Sequence, residues 1–348
     1  MNDMKAYNDY ILKITEELIG IDSPGGFTTA AVKRAVEEFE ALGCKATVTN
    51  KGGIVAEIGG EDENDALLIE AHLDTLGAVV SEIKGSGRLK IAPIGGVVPA
   101  NVETENVRVH TMFDGIYEGT YQQSNASVHV NGEIRTQART FDSMEIVLDE
   151  LVSSKDDVKA LGISVGDIVT FDPRFKVTEK GYIKSRYLDD KLSVGIIFGF
   201  IKYLRDNGIT PKRKLYVHLT VYEEVGHGGS ASVPAGVTEG LSVDMGCVGN
   251  GIDCTERDVS ICAKDAGGPY NHDVVKALVA CAKRLLLSYA VDVYPYYGSD
   301  VEATLRGGND IKHGLIGPGV YASHGYERSH VDAVENTLKL MLAYVGAM

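Results

Sequence analysis

Between about Gly77 and Val177 the chain changes texture, and this interruption constrains the fold more than any other feature. Alternating Val, Ile and Thr stretches recur there, at Val107–Thr111, Ala126–Val130, Met144–Leu148 and Ile168–Phe171. Glycines are frequent, and Asn131-Gly132 is a pair of the kind that turns a hairpin. On either side the pattern is helical and strand-like by turns. Val32, Val36, Phe39 and Leu42 recur at helical intervals before a capping Gly43, and Ala66–Ala71 is a nearly continuous apolar run, as a buried strand is. Beyond the interruption the pattern predicts a helix over Asp190–Leu204 and strands over Leu215–Tyr222 and Leu241–Val243. A helix over Asn271–Leu287 and a last one from Val331 complete it. The expected fold class is α/β, with residues 1–76 and 178–348 sharing one sheet and residues 77–177 inserted as an all-β barrel.

Bulk properties narrow the partners. Acidic residues exceed basic ones by 49 − 34 = 15, the wrong sign for a nucleic-acid or anionic-membrane surface. The longest apolar run, near Val194–Ile201, is far short of the roughly 20 residues that span a bilayer. Met1–Gly20 lacks the basic start of a secretory leader, and the five cysteines include no CxxC pair. Cys247, Cys254 and Cys262 are too widely spaced for a zinc knuckle. These features point to a cytoplasmic protein with neither nucleic acid nor membrane as partner.

Ligand-type side chains collect at strand ends, where open α/β sheets build their sites. His72-Leu73-Asp74 follows one apolar run, Glu223-Glu224 another, and Asp244 a third. Asp189-Asp190 opens a helix, and His324 lies in a Gly-containing loop before the last helix. Singly, each has an ordinary explanation: Asp189-Asp190 as a helix cap, Asp244 as a strand end, His324 as a surface histidine. The glutamate pair is harder to dismiss, because it leaves a buried-looking strand and two adjacent carboxylates there repel without a cation. Together the set supplies two histidines, several carboxylates and a spare glutamate. A pair of Zn²⁺-class ions about 3.5–4 Å apart calls for that chemistry.

With these residues in view, the chain resembles the tetrahedral (TET-type) two-metal aminopeptidases, the family of glutamyl and deblocking enzymes. The resemblance rests on Ile69–Gly77, Pro93-Ile94-Gly95-Gly96, Leu188-Asp189-Asp190-Lys191, Glu223–Gly226, Val243-Asp244 and Gly298-Ser299-Asp300, and it covers essentially the whole chain. It implies a zinc-aminopeptidase-like α/β sandwich carrying a PDZ-like barrel, the barrel serving dimerisation and access. It implies two divalent metals per subunit (Zn, or else Co or Mn), with His72 and Asp244 on one, Glu224 and His324 on the other, and Asp189 bridging. Glu223 becomes the general base, Asp74 the residue that orients His72, and Asp300 a contact for the substrate's amino end. A cis peptide joining Asp189 to Asp190, short peptide substrates, and dimers building a dodecamer are implied as well. Two positions depart from the family pattern. Lys191 replaces the usual Arg, and Ser323-His324-Gly325-Tyr326-Glu327-Arg328-Ser329-His330 replaces the common H-S-P, leaving His330 as a rival to His324. That stretch resembles a bacterial subgroup, some of whose members are associated with small N-acetylated peptides.

Related two-metal dipeptidases and deacylases share these residue types, but there the bridging aspartate follows H-x-D closely. Here the gap is 189 − 72 = 117 residues. A glycosidase needs two carboxylates rather than two histidines and five acids. A non-catalytic relative would be expected to have lost a ligand or the base, and none is missing.

Overall fold

The computed structural model describes residues 4–113 and 115–348. Two compact units result, Met1–Thr75 with Arg174–Met348, and Leu76–Pro173.

The larger unit is built on a 12-stranded sheet. At its centre the strand Asp62–His72 lies parallel to Arg213–Thr220 on one side and to Val237–Val243 on the other, and the latter runs parallel to Lys312–Tyr321. Thr220 pairs with His72 and Ser242 with Glu70, so the carboxyl ends of three adjacent strands finish at one edge. The apolar run expected at Ala66–Ala71 forms the buried half of its strand. The helix Leu188–Asp206 packs beneath the sheet, with Ile196, Ile197, Phe198, Phe200 and Ile201 fully buried. Gly195 and Gly199 let the helix Met4–Ile19 approach closely: a Cβ on Gly199 would stand 2.4 Å from Ile11 Cγ1, and one on Gly195 2.2 Å from Thr15 Oγ1. A sheet with its centre parallel and helices against it is the expected α/β arrangement.

The smaller unit is a closed six-stranded barrel of Gly77–Ile83, Leu89–Ile94, Glu105–His110, Ile116–Gln123, Met144–Leu148 and Ile168–Phe171, paired antiparallel. Tyr121 and Phe171 meet edge to face in its core at 5.9 Å. One expectation fails here. Ala126–Val130 forms no strand, and Asn131-Gly132 turns no hairpin; Ile116–Gln123 pairs directly with Met144–Leu148 across a long connection. The Asn131 side chain instead accepts from Glu133 N and donates to the Asn125 carbonyl, bending the chain locally. Val128 and Val130 stay exposed, so their alternation has no buried face to serve.

Candidate metal centre

His72 closes the strand Asp62–His72 and is fully buried. Its Nδ1 meets the Asp74 backbone carbonyl at 2.8 Å, and its Nε2 lies 3.1 Å from Asp189 Oδ1. The Asp74 carboxylate stands 3.6 Å from Nδ1 and accepts the backbone N–H groups of Glu223 and Glu224 at 3.1 and 3.3 Å. Asp74 therefore ties the His72 ring to the short turn that carries both glutamates.

Asp189 and Asp190 interrupt the start of the helix Leu188–Asp206, following Tyr187 at φ 67°, and the peptide bond between them is cis. The break turns the two carboxylates in different directions. Asp189 faces His72 and His324, whose Nε2 is 3.6 Å from Asp189 Oδ2 and 3.5 Å from Glu224 Oε2. Asp190 accepts the backbone N–H of His72 at 3.2 Å through Oδ2. Asp244 directly follows the strand Val237–Val243, with Oδ1 accepting the N–H of Met245 at 2.5 Å.

Two overlapping groups result, His72 with Asp190 and Asp244, and His72 with Asp189 and Glu224; in each the ligand-type atoms lie within 4.8 Å of one another. His324 adjoins the second group. Glu223 Oε2 lies 3.8 Å from His72 Nε2. Asp300 sits behind the glutamate turn, 2 % exposed, with Oδ2 accepting from Thr220 Oγ1 at 2.8 Å. His330 is drawn elsewhere: Nδ1 accepts from Asp332 N at 3.1 Å to cap the last helix, and Nε2 meets the Lys180 carbonyl. Lys191 is also buried, its Nζ donating to the carbonyls of Leu18 and Ile21.

The electrostatics are those of an acid-rich pocket. Burial, reinforced by neighbouring carboxylates, pushes Glu223, Glu224 and Asp190 well above the usual range and Asp244 to about 7. Burial also works to raise Asp189, but hydrogen bonds from His324 and His72 overcome it and hold that carboxyl below its ordinary value. Burial works to lower His324, yet Asp189 and Glu224 lift it to about 10. A cation suits such a set, and one further observation agrees: Asp190 Oδ1 is buried with no hydrogen-bond partner. Imidazole and carboxylate donors are the ligands of Zn²⁺ and its neighbours.

Three residues here carry no role in the sequence analysis above. Asp190 is named there as the second member of the Asp189-Asp190 pair. Glu327, buried, accepts Asp189 N at 3.1 Å and His324 N at 3.0 Å, holding both backbones; its signal was its place within the unusual stretch after His324. Tyr297, in a Tyr-rich run ahead of Asp300, donates its hydroxyl to the carbonyl of Met245, the residue after Asp244.

The chain matches the M42 glutamyl aminopeptidase family over residues 52–340. It is 41% identical over 334 residues to the putative aminopeptidase YhfE of Bacillus subtilis, with 96% of each chain covered. Its fold superposes on aminopeptidase APDkam598 of the archaeon Desulfurococcus kamchatkensis with a TM-score of 0.87 at 21% identity, covering 97% of this chain and 95% of the other. It superposes as well on the Pyrococcus horikoshii TET1 peptidase, described as assembling into a tetrahedron or a large octahedral shell. There the TM-score is 0.83 at 22% identity, with coverage of 96% and 98%. Family, relative and fold agree with the chemistry of the pocket, and this chain belongs to the M42 glutamyl aminopeptidase family of metal-dependent aminopeptidases.

Proposed function

We propose that this aminopeptidase removes N-terminal residues from short peptides with two divalent ions, His72 and Asp244 holding one, Glu224 and His324 the other, and Asp189 shared. What supports this reading is the pair of ligand groups around His72, one containing Asp244 and the other Asp189 and Glu224, with His324 beside the second. When bound, the ions supply Lewis-acid polarisation and lower the pKa of water towards about 7. Glu223, beside His72 yet outside both groups, takes the proton of the attacking water and returns it to the leaving amine. Asp74 holds Glu223 and His72 in register through its hydrogen bonds. Asp300, whose Oδ1 is buried without a partner, receives the substrate's free amino group as a cation.

The likeness to TET1 supports a homo-oligomeric shell, dimers building a dodecamer, with the barrel unit Leu76–Pro173 serving assembly and access. The acidic surface, and the lack among the described residues of a helix long and apolar enough to cross a membrane, support a cytoplasmic enzyme acting on peptides. The donor set suits Zn²⁺, Co²⁺ and Mn²⁺ alike.

The test is metal-stripped protein reloaded with each ion in turn and offered the same short peptide with and without an N-acetyl cap. Metal-dependent release of the first residue from the free peptide is expected. Faster cleavage of the capped peptide would reassign the chain to N-acetylated substrates, and no metal-dependent cleavage of either would remove the reading.

A further inference from the structure

Three neighbouring parallel strands each send one buried polar side chain to the same short helix, Asp300–Arg306. From Arg213–Thr220, the Thr220 hydroxyl donates to Asp300 Oδ2 at 2.8 Å. From Val237–Val243, Ser242 Oγ accepts the Val301 N–H at 3.0 Å. From Asp62–His72, the Glu70 carboxylate accepts the Thr304 hydroxyl at 2.9 Å. The helix is thus fastened to the sheet at its first two residues and again one turn later. Thr220 pairs with His72 in the sheet, so the residue that holds Asp300 stands level with a proposed metal ligand. Gly228 completes the arrangement: a Cβ there would fall 2.1 Å from Asp300 Oδ1, 2.6 Å from Thr220 Oγ1 and 3.0 Å from Glu223 N. A glycine lets the chain pass that close, and Asp300, Thr220 and the backbone of the proposed base meet around it.

We infer that Thr220 is a positioning residue for Asp300: its hydroxyl holds, beside the glutamate turn, the carboxylate that receives the substrate's amino end. The inference rests on the reading of Asp300 given above. The two oxygens of Asp300 are unlike: Oδ2 takes the Thr220 proton, while Oδ1 is buried without a hydrogen-bond partner. A hydrogen bond to a carboxylate is among the strong ones, and the group cannot turn without giving it up. The donor therefore decides which oxygen is left for an incoming cation. Stripped of it, a buried carboxylate turns or takes up a proton, and either change weakens its hold on an ammonium group.

The experiment is steady-state cleavage of one short unblocked peptide by the full-length Zn²⁺-reloaded protein, for the native chain, Thr220→Val, Thr220→Ser, Thr304→Val and Asp300→Asn. Thr220→Val keeps the side-chain shape and removes the hydroxyl. It is expected to raise KM by about tenfold, the scale of a hydrogen bond to a charged group, with kcat and metal content close to native. Thr220→Ser keeps the donor and loses the methyl group, so KM should return to near native, which a packing role would not allow. Thr304→Val releases the Glu70 anchor one turn along the helix and is expected to lower the melting temperature with KM near native. Asp300→Asn should raise KM as well. If it does, a native KM in Thr220→Val, or an equal rise in Thr220→Ser or Thr304→Val, would overturn the positioning role alone. A native KM in Asp300→Asn would remove the amino-end contact and the inference with it.

Discussion

The carboxylate of Glu327 accepts the backbone N–H of Asp189 at 3.1 Å, although the two residues are far apart in sequence. Its other oxygen accepts the N–H of His324 at 3.0 Å. One buried side chain therefore fixes the main chain at two proposed metal ligands. Glu327→Leu removes both acceptors and leaves two donors unsatisfied. The metal-free protein should lose several kcal/mol, at about 1–3 kcal/mol for each stranded group. Urea unfolding curves of the two proteins measure this, and an unchanged midpoint would refute it.

Glu223→Gln keeps the shape of the proposed base and abolishes its proton affinity. Turnover should fall by about 10²-fold or more with both metals retained. Metal analysis alongside steady-state rates separates the cases: a variant that loses its metals would make Glu223 a ligand.

The two histidines of the last loop should part company. His324→Ala should lower metal content, because its Nε2 faces Asp189 and Glu224. His330→Ala should leave metal content alone and lose about 1 kcal/mol as a helix cap goes. Equal metal loss in the two variants would contradict the geometry.

Glu302 offers a pH test away from the ligands. Burial, with the hydrogen bond and charge of Asp265, raises its carboxyl to about 7, while Arg306 at 3.6 Å pulls the other way. Between about pH 4.5 and 7 the folded chain holds a proton that the unfolded chain releases. Stability should therefore fall as pH rises through that window. The opposing pull of Arg306 limits the effect to the order of 1 kcal/mol. Glu302→Gln should flatten this part of the stability profile; an unaltered slope would place the titration elsewhere.

Much of the centre was legible because strand ends announce themselves. His72, Glu223-Glu224 and Asp244 each follow an apolar run that becomes one of three neighbouring parallel strands. What was hidden depends on partners remote in sequence. Glu327 acts on backbone N–H groups, which carry no side-chain signature, and the Tyr297 hydroxyl reaches the Met245 carbonyl only because its loop folds back. Asp190 was obscured by its neighbour, since nothing in an Asp-Asp pair says that the two carboxylates will face apart. At Ala126–Val130 alternation misled for the opposite reason: a period of two marks a strand only where one face is buried.

The insertion of the barrel between His72 and the rest of the centre also has a consequence in time. The proposed ligand set runs from His72 to His324, 324 − 72 = 252 residues apart. At about 5–20 residues per second on the ribosome, the first histidine waits roughly 13–50 s for the last. Through that interval the growing chain holds some of the proposed ligands without the full set. A chain arranged in this order carries no complete centre of its own until the segment around His324 has been made.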